Sequence, residues 1–185
     1  MIGGVLGALV AWRVRALITF SAPALVVDAL RYIATIASAA VTAGAQWILL
    51  RRYRLDVFWW VPATVIAALL TAIVVIPSVL SHAGDPLGGA VHPSDPLIAG
   101  GAALAAAGLV IGTAQAMVLR PSVGNRAWLW VPATGIGGGL AGAATSALSL
   151  RPFAYSAFAY ISVLAALGAF LISACQAPVV ARLVR

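Results

Sequence analysis

The sequence predicts an all-α fold: a polytopic transmembrane helical bundle of six spans, or seven if the first twelve residues also cross, built from parallel-repeat helical hairpins. Three observations predict it. First, the 185 residues are 63% hydrophobic and 8% charged, with a mean hydropathy of +1.08, where a soluble domain carries about 25% charged residues. Such a chain cannot cover itself with polar surface, so the reading excludes a soluble monomer, and the same numbers exclude disorder. Second, the charges fall between long apolar runs. Third, one hairpin occurs twice.

The spans follow in order. A helix needs about 20 apolar residues to cross a hydrocarbon core of about 30 Å. Met1–Trp12 is apolar but short, and reads as a half-span or surface helix. No basic segment precedes it, so a cleaved signal peptide is not expected. Arg13 and Arg15 would be costly at mid-bilayer and are placed at an interface. Ala16–Leu30, with Pro23 inside it, becomes a short bent span, and Tyr32–Leu50 is just long enough for another. Val57–Leu80, Leu97–Leu119, Ala127–Leu150 and Pro152–Ala181 are uncharged and long enough without qualification. These runs are apolar on every face, whereas barrel strands alternate.

All 11 basic residues are arginine, and the acids are Asp28, Asp56, Asp85 and Asp95. Alternating spans put Arg13, Arg15, Arg51, Arg52, Arg54, Arg120, Arg126, Arg182 and Arg185 on one side, against Arg31 and Arg151 on the other. The arginine-rich side is then cytoplasmic, with the C-terminal tail inside the cell membrane and Ser81–Pro96 outside. Trp47, Trp59, Trp60, Trp128 and Trp130 gather near the inner edge. Trp59, Trp60, Trp128 and Trp130, with Arg51, Arg52 and Arg120, are therefore expected to anchor the inner interface. This spacing of charge between spans also removes nucleic acid as a partner, despite a net charge of +7.

The repeat reads Gln46-Trp-Ile-Leu-Leu-Arg51 followed by Trp59-Trp-Val-Pro-Ala-Thr64, then Gln115-Ala-Met-Val-Leu-Arg120 followed by Trp128-Leu-Trp-Val-Pro-Ala-Thr134. Such self-similarity marks a structural unit. Each unit is a hairpin that begins and ends outside, so the pseudo-axis runs along the membrane normal. Unit one covers 32–80 and unit two 97–150 of a single domain, 1–185. Gln176, Arg182 and Ala22-Pro23-Ala24 suggest a third unit, split between 16–30 and 156–181. The pattern resembles a diffuse group of small bacterial membrane proteins with repeated Gln-Trp-x-x-Leu-Arg and Trp-Trp-Val-x-Ala-Thr segments. The likeness covers roughly 40–70 and 108–142, departs at Ala116, and implies topology alone.

Within the spans the strongly polar side chains are Gln46, Gln115 and Gln176. A buried amide needs partners, so they read as interhelical polar contacts at one depth, bonding to one another or to backbone; the sharper reading is a ligand site. Pro62 and Pro132 sit in first turns, where a missing N–H costs nothing, and Thr64 and Thr134 can bond locally there. Small-residue motifs (Gly3/Gly7, Gly108/Gly112, Gly135/Gly139, Gly138/Gly142) bring helices close, so the helix after Thr134 needs a tight neighbour in this chain or a partner. In the outer loop, His82, Asp85, His92 and Asp95 could in principle hold a divalent metal. Their spacing matches no closed zinc pattern, and Asp95-Pro96 reads as a helix start. Cys175 reads as a packing residue.

Coupled transporters and pumps carry ionisable residues such as Asp, Arg or His within their spans, and the five clear spans here hold none of these. No nucleophile elbow, zinc-protease motif or phosphate loop occurs. The expectation is a non-catalytic integral membrane protein, an accessory, assembly or stabilising subunit. It would pack against membrane lipids and another membrane protein or a second copy, with lipids, quinones or pigments as possible groove fillers. The alternative is a small-molecule binding or transport protein resembling a substrate-capture subunit, with the glutamines as polar contacts. A third is a metal sensor in the outer loop.

Overall fold

The structure, a computed structural model, describes residues 24–53, 57–83, 95–149 and 157–183, and these are helical almost throughout. The order is α1 (Ala24–Arg52), α2 (Trp60–Leu70), a π-turn (Thr71–Val75), α3 (Ile76–Ala83), α4 (Asp95–Val123), a 3-10 turn (Gly124–Leu129), α5 (Trp130–Ser149) and α6 (Ala157–Leu183). Two stretches, Trp60–Val79 and Leu97–Leu148, are long and apolar enough to cross a membrane by length and composition. The second contains α4, the 3-10 turn and α5.

One boundary differs from expectation. Ala24–Leu30, assigned from sequence to a separate outward span, forms one helix with Tyr32–Leu50. At 1.5 Å per residue this α1 is about 43 Å long, more than a hydrocarbon core requires. Charge at Asp28 and Arg31 does not interrupt a backbone, and between Ala24 and Arg52 there is no proline and one glycine, Gly44. The six-span count therefore does not hold in the described region, and the proposed outward helix of a split third unit loses its second half to α1. Residues 1–23, including Arg13, Arg15 and Gly3/Gly7, lie outside the described residues.

The start of α2 accounts for its donors. Trp60 N–H bonds Val57 O and Ala63 N–H bonds Trp59 O, each at 3.0 Å. Pro62 between them has no N–H to place. Further on, Ile76 N–H reaches Thr71 O, a five-residue step. Pro77 explains it: its ring would clash with the carbonyl of Ile73 four residues back, and the wide turn moves that carbonyl away. At the other end of the bundle α4 continues past Arg120 and Pro121 to Val123, further than expected. It stops where Gly124 adopts φ +63°, a conformation that reverses the chain cheaply only without a side chain.

The helices pack in the order α1–α2–α4–α5–α6, with the α4–α5 pair the most extensive and α5–α6 next. A buried cluster of Leu50, Val57, Trp60, Leu119, Ala127, Trp130 and Leu183 gathers the arginine-bearing ends of α1, α4 and α6 at one end of the bundle.

Candidate functional site

Five helices meet at a chain of side-chain hydrogen bonds beside that cluster. Gln46 comes from α1, Trp60 and Thr64 from α2, Gln115 from α4, Trp130 and Thr134 from α5, and Gln176 from α6. Trp60 Nε1 donates to Gln46 Oε1 at 3.3 Å, and Trp130 Nε1 donates to Gln115 Oε1 at 2.7 Å. Gln115 Nε2 donates to Thr64 Oγ1 at 3.1 Å and lies 3.4 Å from Gln46 Oε1. Gln176 Nε2 donates to Thr134 Oγ1 at 3.1 Å. Each threonine hydroxyl donates one turn back, Thr64 to Trp60 O at 2.8 Å and Thr134 to Trp130 O at 2.9 Å.

The direction of every bond is forced. An indole only donates, so the atom of Gln115 that faces Trp130 is its oxygen and its nitrogen faces Thr64. Both threonine protons are committed to helix carbonyls, so Thr64 and Thr134 must accept. The result runs head to tail, indole to amide oxygen within one hairpin and amide nitrogen to hydroxyl in the neighbouring one. Gln115 is 1% exposed and Gln176 6%, and the Trp60 and Trp130 rings meet edge to face at 5.6 Å. Each bond is worth more here than in water, since no solvent competes for the donors.

Gln46 and Gln115 thus bond each other, while Gln176 joins through Thr134; the partners are indoles and hydroxyls more than backbone. The expected tryptophan belt divides. Trp59 and Trp128 are exposed, but Trp60 and Trp130 are buried and cannot serve as interface anchors. Their N–H groups find amide oxygens inside the bundle, and successive residues on a helix point about 100° apart. Arg51, Arg52 and Arg120 are exposed, and Arg51 lies 4.7 Å above the Trp47 ring.

The glycines answer the question of the tight neighbour: it is within the chain. A Cβ on Gly108 would stand 2.5 Å from Thr134 O, one on Gly112 3.1 Å from Val131 Cα, and one on Gly135 2.6 Å from the Leu109 side chain. Gly139 faces Ala105 at 3.2 Å, and Gly142 faces the Gly100 carbonyl. Gly137, which sequence reasoning passed over, faces α6 at Ile172 Cα, 2.8 Å away. The Gly112 contact seats Thr134 against α4, so the seam and the hydrogen-bond chain are one construction.

Of the metal candidates, Asp85 and His92 lie outside the described residues, His82 falls in α3, and Asp95 opens α4. Among the described residues no three metal-ligating side chains come together. Sequence reasoning also missed an apolar groove of about 1050 Å³ between α2 and α4. Phe58, Trp59, Ile66, Leu70, Leu109, Met117 and Pro121 line it around the smaller Ala63, Ala67 and Ala114. Its signal was present as small residues flanked by bulky ones at helical spacing on two helices.

Chemically, the buried chain consists of neutral amides, indoles and hydroxyls whose protons are already shared. It fixes helix register; it offers no group poised to attack or to exchange a proton. No family model, curated protein or solved structure matches this chain.

Proposed function

We propose that this chain is a multi-pass integral membrane protein without catalytic activity, an accessory or stabilising subunit that packs against another membrane component. The observation that carries the reading is the division of polarity. Gln115, Gln176, Thr64 and Thr134 are buried and bonded within the bundle, while only 22% of the most apolar window of Trp60–Val79, and 22% of that of Leu97–Leu148, is buried. A core helix of a water-soluble protein buries most of such a window; a helix in lipid has no need to.

One feature favours a packing role over an autonomous one. The hydrogen-bond chain has open ends: among the described residues, the Gln46 amide nitrogen on α1 and the Gln176 amide oxygen on α6 have no partner. An unsatisfied amide is costly away from water, and a neighbouring helix that brings an acceptor to the half-buried Gln46 would satisfy its nitrogen. The parallel-repeat reading gains support from the same bonds, because Gln46/Trp60/Thr64 and Gln115/Trp130/Thr134 carry equivalent contacts. The arginine-bearing ends are assigned to the cytoplasmic face.

The test has two parts. After carbonate washing the chain should float with liposomes. With Cys175→Ser as background, Arg52→Cys and Arg126→Cys should be labelled from the same side by an impermeant thiol reagent. Recovery in the soluble fraction, or labelling from opposite sides, overturns the membrane scheme. A lone monomer in native membrane extracts, bound to no membrane protein, overturns the accessory role.

A further inference from the structure

The groove between α2 and α4 has a chemistry more specific than apolar. Along α2 it runs from the N-cap residue Trp59 to Leu70, about 16 Å at 1.5 Å per residue. That is close to one leaflet of a hydrocarbon core of about 30 Å. The helices are antiparallel, so Phe58 and Trp59 face Pro121 and Met117 at one end, and Leu70 faces Leu109 at the other. Apart from the Trp59 indole at one end, the polar side chain that lines it is Thr113, whose hydroxyl already donates to Leu109 O at 2.7 Å. The walls therefore ask for hydrocarbon along their whole length.

The Trp59 end differs. Trp59 is 65% exposed, its ring is held edge to face by Phe58 at 5.4 Å, and its indole N–H has no protein acceptor among the described residues. Arg120, next to Pro121, is exposed. Arg51 is different: it sits on α1 and covers the Trp47 ring. An exposed guanidinium on the residue next to the lining Pro121, and an indole donor on the lining Trp59, are complementary to a phosphodiester whose acyl chain fills a leaflet-length apolar channel.

We infer that this groove is a binding site for an anionic phospholipid of the arginine-side leaflet, with an acyl chain between α2 and α4 and the phosphate at Arg120 and Trp59. The inference rests on the membrane reading above and names the lipid class and its place. An uncharged quinone would fill the channel but would gain nothing from Arg120, and a second copy of the chain would bring its own arginines to the same rim.

The full chain is reconstituted in phosphatidylcholine vesicles, and insertion is established first by flotation. Spin-labelled phosphatidylglycerol and spin-labelled phosphatidylcholine then report the motionally restricted fraction. Phosphatidylglycerol is expected to be preferred about fivefold, the factor one arginine contributes at an anionic surface. Arg120→Gln should lower the preference clearly more than Arg51→Gln does. Ala114→Phe, which fills the groove, should lower the restricted fraction of both lipids. Insertion without preference in the wild type, or equal losses from Arg51→Gln and Arg120→Gln, overturns the site while leaving the membrane reading intact. A number of restricted lipids per protein that rises as the protein is diluted in lipid assigns the groove to a second copy and overturns it as well. Should Ala114→Phe fail to insert, the surface pair Arg120→Gln and Arg51→Gln still decides.

Discussion

Gly138→Ala is expected to destabilise the bundle by about 3 kcal/mol, the upper range for overpacking a closed interface, although alanine is the better helix former. The Cβ it adds would collide with the Leu104 carbonyl oxygen and stand 3.2 Å from the carbonyl carbon. Both are backbone atoms of α4, so the clash cannot be relieved by turning a side chain; the helices must separate, and with them the rest of the seam. Gly44→Ala on α1 is the matched control. A Cβ there meets nothing within 4 Å, so the gain in helix propensity, about 0.5–1 kcal/mol, should appear unopposed. Unfolding by sodium dodecyl sulfate in mixed micelles, followed by far-ultraviolet circular dichroism, gives both values. Similar effects at the two positions would mean that α4 and α5 are not in backbone contact.

The seam was legible because glycine at four-residue spacing has a narrow meaning in an apolar helix. What the spacing left open was the identity of the neighbour, since a groove that accepts a backbone looks the same whether that backbone belongs to this chain or another. The glutamines were legible for a similar reason: an amide in an apolar run must find a partner. Trp60 and Trp130 were misplaced because tryptophan suits a membrane rim so well that the rim was the natural home for all four. The correcting signal lay in the spacing. Trp60 follows Gln46 by 14 residues and Trp130 follows Gln115 by 15, and in each unit a threonine follows one turn later on the same face. Trp59 and Trp128 occupy no such position. The length of α1 was misread for a different cause. Arg31 was treated as the end of a span, but transfer energy decides where a helix sits, not where its backbone bonds stop. The π-turn had a signal in Pro77, yet a proline near a span's end fits a bend, a stop or a wide turn equally well.

Gln115 is the centre of the hydrogen-bond chain, and its removal should weaken the bundle most among the three glutamines. Gln115→Leu keeps the volume and deletes the amide. Trp130 N–H then loses its acceptor at a site 3% exposed, and Thr64 loses a donor. A buried polar group left unsatisfied costs about 1–3 kcal/mol, so the expected loss is about 2–3 kcal/mol. That exceeds the roughly 0.6–2 kcal/mol of one interhelical bond in a membrane. Gln46→Leu should cost less, because its two contacts are the longest of the set at 3.3 and 3.4 Å and the residue is only half-buried. Trp130→Phe keeps a ring against Trp60 and deletes the N–H, leaving Gln115 Oε1 without its donor. If the 2.7 Å bond is the source of both losses, Gln115→Leu with Trp130→Phe must cost less than the two separately. A coupling of about 1–2 kcal/mol is expected for groups in direct contact. Strict additivity would mean that indole and amide act independently, and that the amide is oriented toward something other than the bundle. Coupling would make this bond part of what holds α4 to α5.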